Sequence, residues 1–329
     1  MLNKFRPRRS VLMAMGALAL SAALPLQAQD VGDWPNKPIH LIVPYAPGGA
    51  TDVTARIVSH RLGERLGQSV VVENRGGANG TIGTSAVARA KPDGYTLLLN
   101  TAGAQTLSPL LYDTADYDGL DSFEPVSLIA RLSFVLVTHP SVPANTVQEL
   151  VSLIKKTPND FSISSGSAIM GLMNEHFKSI IGAPEVVNAQ YRGTGPQLTA
   201  VVSGEVQMTF DPFHGMAMIE AGRVKPLAVL SDKRSSVLPD VPTMKEAGIE
   251  GMDFTSWAAL LAPKGTPQPI VDKLYTELKA VLEMPEVREQ LENIDYEVVG
   301  STPQELAETI KNDTARWAEI IKTSPYKPS

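Results

Sequence analysis

Residues 41–52 read Leu-Ile-Val-Pro-Tyr-Ala-Pro-Gly-Gly-Ala-Thr-Asp, and this order predicts a strand, a glycine turn and the start of a helix. The apolar run at 39–43 suits a buried strand, and Thr51 and Asp52 are good N-caps for the helical pattern that follows. Ligands of open α/β sheets bind beside the carboxyl ends of the strands, where the N–H groups of a first helical turn can hold an anion. The stretch therefore predicts an anion-binding loop, or alternatively an ordinary strand–helix connection with a capped helix.

The same order of strand end, glycine turn and helix start occurs twice more, at Ser165-Gly-Ser167 and at Arg192-Gly-Thr-Gly195. If all three turns face one cleft, backbone N–H groups and small hydroxyls line it. Such a cleft suits a carboxylate, because converging neutral donors and helix dipoles offset the cost of removing an anion from water. Chance repetition of strand–helix turns is the alternative.

The N-terminus predicts export. Four basic residues between positions 4 and 9 precede an apolar segment at 11–24, and Ala28 is a suitable last residue before cleavage. The apolar segment is too short and wrongly flanked for a retained membrane span. Arg8-Arg9 loosely matches a twin-arginine signal, so that route stays open beside the general secretory route. We expect a soluble periplasmic protein after cleavage near Ala28.

The composition predicts a globular protein of two domains. The 329 residues are 43% apolar and 19% charged, and cysteine is absent, which excludes disulfides, thiolate metal sites and a cysteine nucleophile. The predicted signal removes four of the 29 basic residues and none of the 35 acidic ones, so the mature chain is more acidic than the whole chain at −6. An acidic exported protein is a poor candidate for binding nucleic acid or anionic membranes.

Alternating strands and helices predict βαβ units with parallel sheets, divided into two lobes. The first lobe is expected to comprise 29–125 and 254–329, and the second lobe 126–253. A strand at 254–262 is expected to return towards the first lobe, and amphipathic helices finish the chain. Their apolar stripes, including the one with Trp317, are interpreted as core faces.

The sequence does not assemble an enzyme site. The loop at 74–83 resembles a dinucleotide loop but misses the GxGxxG pattern, so we interpret it as a turn that caps a helix or flanks the cleft. The chain contains neither a Walker loop nor a Gly-x-Ser-x-Gly elbow, and its five histidines include no His-x-x-x-His pair. We therefore predict no cofactor, no metal and no catalytic residues.

Five segments together resemble the Bug, or TctC-like, family of periplasmic receptors of tripartite tricarboxylate transporters. They lie at 34–52, 71–80, 90–98, 191–196 and 238–248, run in the family's order and cover nearly the whole mature chain. The resemblance implies a two-lobed α/β fold, a type II-like periplasmic binding protein or Venus flytrap, with a ligand cleft between its lobes. It also implies a small carboxylate held by backbone amides, hydroxyls and bridging waters.

The resemblance implies ligand-binding residues in both lobes. Tyr45 stands where the family commonly has phenylalanine, and Gly77-Ala-Asn-Gly80 stands where it often has Gly-Ala-Gly-Gly, so both departures bear on the choice of ligand. Phe213 and His214 look individual to this chain. The expected ligand-binding residues are Tyr45, Ala46, Pro47, Gly48, Gly49, Asp52, Thr101, Ala102, Ser165, Gly166, Ser167, Tyr191, Gly193, Thr194, Gly195, Asp211, Phe213 and His214.

We expect a monomeric receptor that delivers a small carboxylate, either an aliphatic dicarboxylate or tricarboxylate or an aromatic carboxylate, to the membrane components of a tripartite tricarboxylate-type transporter. Two other functions stay open at this point. One is a ligand sensor that presents its closed form to a signalling partner. The other is an exported hydrolase or lyase that uses Ser165, Ser167 or His214.

Overall fold

Two mixed β-sheets organise the fold in the computed structural model, which describes Met1 and residues 32–191, 193–213, 215–294 and 296–324. Contacts divide the chain into Met1–Gly32 and Asp33–Ser329, and the fold given below is that of the second unit. The predicted export signal lies outside the described residues. No helix within the described ranges is long and apolar enough to cross a membrane.

The strands of the described chain are β1 (Ile39–Val43), β2 (Val70–Asn74), β3 (Thr96–Thr101), β4 (Phe123–Leu132), β5 (Val135–Thr138), β6 (Ser162–Ser165), β7 (Val187–Gln190), β8 (Met208–Asp211), β9 (Lys225–Val229), β10 (Ser256–Pro263) and β11 (Tyr296–Val298). The α-helices are α1 (Ala50–Leu66), α2 (Thr81–Ala88), α3 (Ser108–Leu111), α4 (Val147–Lys156), α5 (Ala168–Ile181), α6 (Thr194–Val202), α7 (Met216–Glu220), α8 (Gln268–Leu282), α9 (Pro285–Glu292) and α10 (Pro303–Thr323). A π-helical turn, Gly103–Leu107, precedes α3.

The first sheet has the strand order β11-β4-β10-β3-β1-β2. Its strands β2, β1 and β3 are parallel, as the sequence predicts, whereas β10 runs antiparallel to both β3 and β4. All eight residues of β10 are buried, which fits a central strand. The sheet is mixed rather than parallel because β10 enters it from the second lobe, in the reverse direction.

Residue 125, where the first segment of the predicted first lobe ends, lies inside β4. All ten residues of β4 belong to the first sheet, where β4 pairs with β10 and β11. The chain therefore changes sheet between Leu132 and Val135. The chain returns to the first sheet near residue 255, because Phe254 packs in the core of the second lobe and β10 begins at Ser256.

The second sheet has the order β7-β6-β8-β5-β9. Strands β7, β6 and β8 are parallel, and β5 runs antiparallel to β8 and β9. The parallel strands β6 and β7 point their carboxyl ends to one edge, where the loops at 165–167 and 191–195 begin. This edge faces the loops that follow the parallel strands of the first sheet, as the cavity described below shows.

Helix α10 joins the cores of the two lobes. Leu306 and Ile310 pack in the core of the first lobe, and Trp317 and Ile320 pack in the core of the second. The Trp317 ring stacks on Phe254 with their centroids 5.5 Å apart. The apolar stripe of this helix is thus core, as its spacing predicts.

Threonine side chains cap two of the helices. The Thr146 hydroxyl accepts a hydrogen bond from the Glu149 N–H at the start of α4, and Thr302 forms a complete capping box with Glu305 at α10. Each cap satisfies N–H groups that have no partner within the helix. Helix α1 is different: its N-cap is Gly49, so neither Thr51 nor Asp52 has the predicted capping role.

Candidate functional site

The three glycine turns singled out in the sequence border one cavity of about 720 Å³ between the two sheets. From the first lobe and the strands that leave it, the lining residues are Pro44, Tyr45, Ala46, Pro47, Gly48, Gly49, Ala50, Thr51, Gly76, Gly77, Asn79, Gly80, Thr101, Gly103, Ala104, Leu107, Ser108, Leu132, Ser256 and Tyr296. From the second lobe they are Phe134, Gly166, Ser167, Ala168, Ile169, Met170, Gly193, Thr194 and Pro212. The N-termini of α1, α5 and α6 therefore meet at one place.

The first glycine turn is held by a buried carboxylate beneath it. Asp52 is 3% exposed and accepts hydrogen bonds from the Gly48 N–H at 2.9 Å and from Asn74 Nδ2 at 3.0 Å. Arg56 Nε donates to the same carboxylate at 3.0 Å. Burial by itself raises the pKa of the Asp52 carboxyl, but the hydrogen bonds from Arg56, Gly48 and Asn74 outweigh it and lower the pKa below its usual value. Asp52 thus acts on the turn as an anion and does not line the cavity.

The second and third glycine turns pack directly on each other. A methyl group added to Gly166 would lie 2.5 Å from the carbonyl carbon and oxygen of Gly193 and 2.5 Å from Gln197 Oε1. Gly193 itself has a φ of 106°, in a region that side chains disfavour. The two turns can therefore present their backbones together only because glycine occupies both positions.

A buried polar network supports the turn at 165–167 from behind. The Ser165 hydroxyl donates to Asn188 Oδ1 at 3.1 Å, and Asn174 Nδ2 donates to the same oxygen at 2.9 Å. Asn188 Nδ2 donates to Glu175 Oε1 at 3.0 Å, and Lys178 Nζ donates to that oxygen at 3.0 Å. Ser165 is therefore bonded within the second lobe, and its neighbour Ser167 lines the cavity instead.

Ser167 lies at the cavity wall, and its hydroxyl has no hydrogen-bond partner within the described part of the chain. It is the N-cap residue of α5, but its side chain makes no capping bond. Its Oγ is buried and has no hydrogen-bond partner among the described residues. A buried hydroxyl usually has a partner, so this oxygen is available to a molecule in the cavity.

The described lining residues include no charged side chain. Arg192 and His214, which flank two of the lining segments, lie outside the described residues. Burial raises the pKa of Tyr45, and it raises the pKa of Tyr296 to about 12, so both hydroxyls stay protonated at neutral pH. The described wall thus offers neutral donors and apolar side chains.

Residues 54–325 match the family described as "Tripartite tricarboxylate transporter family receptor". The chain belongs to this family. Protein BugT of Bordetella pertussis strain Tohama I is 34% identical over 298 residues, which cover 89% of this chain and 91% of BugT. The predicted Bug or TctC-like family is therefore confirmed.

Three solved structures of similar proteins share the fold. Periplasmic binding protein BugD is 36% identical with a TM-score of 0.78, over 88% of this chain and 98% of BugD. Rpa4515 of R. palustris, solved with adipate, is 35% identical with a TM-score of 0.82, over 90% and 100% of the two chains. MatC of Rhodopseudomonas palustris, solved with malate, is 28% identical with a TM-score of 0.78, over 88% and 100%. The predicted two-lobed periplasmic-binding-protein fold is confirmed.

In this receptor, ten of the predicted site residues line the cavity. They are Tyr45, Ala46, Pro47, Gly48, Gly49, Thr101, Gly166, Ser167, Gly193 and Thr194. Seven others lie nearby without lining it: Asp52, Ala102, Ser165, Tyr191, Gly195, Asp211 and Phe213. The eighteenth, His214, lies outside the described residues.

The structure shows why these seven residues do not line the cavity. Asp52 and Ser165 make the hydrogen bonds described above, and the other five have different surroundings. Ala102 is 1% exposed in the core of the first lobe, and Phe213 packs in the second-lobe core with a φ of 60°. Asp211 is buried and accepts a hydrogen bond from the Gly215 N–H at 2.8 Å. The Tyr191 hydroxyl donates to Glu205 at 3.0 Å, and Gly195 lies within α6. These residues therefore belong to the segments around the cavity and do not form its surface.

The sequence predictions missed most of the apolar lining. Leu107, Phe134, Ile169 and Met170 come from the π-helical turn, the crossing segment and α5. Their local sequence resembles that of any core segment, so no signal marks them. Asn79 is different, because it belongs to the loop at 74–83 that the sequence places either at a helix cap or beside the cleft.

The Tyr45→Phe variant is expected to be less stable by about 1 kcal/mol, because it loses one partly buried hydrogen bond. The Tyr45 hydroxyl lies 2.6 Å from Thr101 Oγ1 on the cavity wall. Urea unfolding measures the difference. Tyr275→Phe on α8 is the matched control, since the Tyr275 hydroxyl makes no hydrogen bond among the described residues. Equal stability of both variants with the parent would contradict a stabilising role for the Tyr45–Thr101 bond.

Proposed function

We propose that this protein is a periplasmic receptor that captures a small carboxylate in the cavity and delivers it to the membrane components of a tripartite tricarboxylate-type transporter. The observation that carries the proposal is the convergence of three helix N-termini, from both lobes, on one cavity. Family membership supports it, as do the adipate and the malate in the two R. palustris relatives.

Neutral donors can hold a carboxylate here. Helices α1, α5 and α6 have 17, 14 and 9 residues, so each carries a developed dipole with its positive end at the cavity. Each end contributes about 0.3–1 kcal/mol when exposed and up to about 2 kcal/mol when partly buried. The first-turn N–H groups and the Ser167 hydroxyl add direct hydrogen bonds, which are stronger to a charged acceptor.

Capture requires the lobes to move relative to each other, as in other hinged binding proteins. We propose a first lobe of residues 29–132 and 256–329 and a second lobe of residues 133–255. The first segment of the first lobe thus ends at residue 132, seven residues after the end at 125 that the sequence predicts. The crossing segments lie beside Leu132, Phe134 and Ser256, and all three line the cavity. A ligand that contacts both lobes would therefore favour the closed arrangement.

Binding is tested by thermal unfolding of residues 29–329 with a panel of carboxylates, followed by calorimetry. A ligand at 100 times its Kd stabilises the folded protein by about 2.7 kcal/mol, which shifts the midpoint measurably. We expect selective shifts with the compound recovered unchanged. Turnover of the compound would favour the exported hydrolase or lyase, and no shift with any acid would contradict the proposal.

The Ser167→Ala variant is expected to bind the captured acid at least tenfold more weakly, because a hydrogen bond to a charged group contributes about 1.5–3 kcal/mol. Its thermal midpoint without ligand should change little, since the Ser167 side chain makes no capping bond. Ser179→Ala, on the exposed far part of α5, is the matched control and should bind like the parent. Unchanged affinity in Ser167→Ala would remove this hydroxyl from the proposed site.

The proposal also covers export, assembly and role. We propose cleavage near Ala28, no catalytic activity, and a monomeric receptor. N-terminal mass spectrometry of the periplasmic protein tests the cleavage, and light scattering tests the monomer. Transport and sensing are separated by measuring uptake of the identified acid in a strain that lacks this protein and expresses the transporter genes from an independent promoter. Loss of uptake indicates a transport receptor. Normal uptake indicates a sensor.

A further inference from the structure

An apolar wall forms one side of the cavity. It consists of Ala104, Leu107, Phe134, Ile169 and Met170, and it combines the π-helical turn of the first lobe with α5 and the crossing segment. Leu107, Phe134 and Met170 are 1%, 2% and 4% exposed and belong to one core cluster, against which Ile169 packs. The core fixes these side chains, so this side of the cavity stays apolar.

The two lobes meet at this wall. A methyl group added to Gly103 in the first lobe would lie 4.0 Å from Cβ and Cγ2 of Ile169 in the second. A molecule beside Ile169 is therefore close to both lobes.

The three glycine turns supply the polar donors of the cavity, so the carboxylate of a ligand would lie at the turns. The part of the ligand that carries no carboxylate would then lie against the apolar wall.

The chemistry of the apolar wall limits the ligand further. None of its five side chains carries a hydrogen-bond donor, so a second or third carboxylate packed against them would have no partner in the wall. Burying an unpaired charge or an unpaired hydroxyl is costly. A compact hydroxy-acid or tricarboxylate thus fits this wall poorly, although the family is named for tricarboxylates.

We propose that the ligand is a carboxylate with an unsubstituted apolar body of about four or more carbon atoms, either an alkyl chain or a ring, which lies against the apolar wall. This inference rests on the proposed carboxylate-binding function and specifies its substrate class. A second carboxylate is compatible only at the far end of such a body, as in an α,ω-dicarboxylate, where it can reach donors of the glycine turns or water.

Matched acids test the substrate class by calorimetry. Hexanoate is compared with gluconate, and adipate with mucate, because each pair has the same carbon count and carboxylate count but differs in its hydroxyls. We expect the unsubstituted acid of each pair to bind at least tenfold more tightly. From butanoate to heptanoate, each added methylene should increase the affinity about threefold to fourfold. Equal or tighter binding of gluconate or mucate would overturn the inference.

The Ile169→Asn variant tests the wall itself. It should bind hexanoate at least tenfold more weakly than the parent, and propanoate less than threefold more weakly, since propanoate is too short to cover the wall. Ile180→Asn, the same change on the exposed part of α5, should alter neither affinity. If Ile169→Asn does not fold, Ile169→Ala should show a smaller loss of the same selectivity. A uniform loss for both acids would contradict the inference.

The outcomes separate this inference from the proposed function. If only hydroxylated or tricarboxylic acids bind, the carboxylate receptor stands and the apolar substrate class fails. If hexanamide binds as tightly as hexanoate, the wall stands and carboxylate recognition fails. If none of these compounds binds, both proposals fail.

Discussion

The Gly166→Ala variant is expected to lose at least tenfold in carboxylate affinity and about 1–3 kcal/mol in stability, the usual cost of overpacking. Its new methyl group would lie 2.5 Å from the backbone of Gly193. An ordinary contact between such atoms needs about 3.5–4.0 Å, so the two glycine turns must separate by about 1 Å. Because both turns line the cavity, their separation displaces the donors of α5 and α6 together.

Gly195→Ala is the matched control for this variant. Gly195 belongs to α6, and a methyl group there meets nothing within 4 Å. Alanine favours a helix over glycine by up to about 1 kcal/mol, so this variant should be as stable as the parent or slightly more stable. It should also bind the acid normally. Affinity is measured by calorimetry and stability by urea unfolding. Normal binding in Gly166→Ala would show that the contact between the turns does not position the donors.

The glycine turns were the part of the site that the sequence could predict. Each follows a strand and precedes a helical pattern, and parallel strands bring such ends to one edge of a sheet. The structure accordingly places residues of all three turns around one cavity. The sequence does not predict which side chains within a turn face the cavity. Ser165 and Ser167 look alike in sequence. In the structure Ser165 donates a hydrogen bond to Asn188 on the neighbouring strand, whereas Ser167 lines the cavity.

Long-range pairing explains why the structure places β4 in the first sheet, whereas the sequence prediction begins the second lobe at residue 126. The main partner of β4, β10, begins at Ser256, more than a hundred residues later, and a local pattern carries no information on that pairing. The apolar wall was missed for the same reason. Leu107, Phe134 and Ile169 belong to three separate segments of the chain, which only the complete fold brings together.

The Asp52→Ala variant is expected to be about 2 kcal/mol less stable than the parent and to bind the acid about tenfold more weakly. The substitution leaves the Gly48 N–H and Asn74 Nδ2 without their acceptor, and an unsatisfied buried donor costs about 1–3 kcal/mol. Affinity falls because the turn that these bonds hold lines the cavity, although Asp52 itself does not. Arg56→Ala is the control: its side chain is 56% exposed, and such ion pairs contribute about 0–1 kcal/mol.

The pH dependence of this variant separates a positioning anion from a simple packing residue. Folding lowers the pKa of Asp52, so its carboxylate stabilises the fold fully at pH values above the ordinary pKa of about 4. This stabilisation is lost as the pH falls through the lower pKa of the folded state. The stability difference between parent and Asp52→Ala, measured by urea unfolding, should therefore be constant from about pH 8 to 5 and shrink below about pH 4. A difference that stays constant or grows on acidification would mean that the variant loses packing rather than charge, and that the Gly48 turn does not depend on the ionised carboxylate.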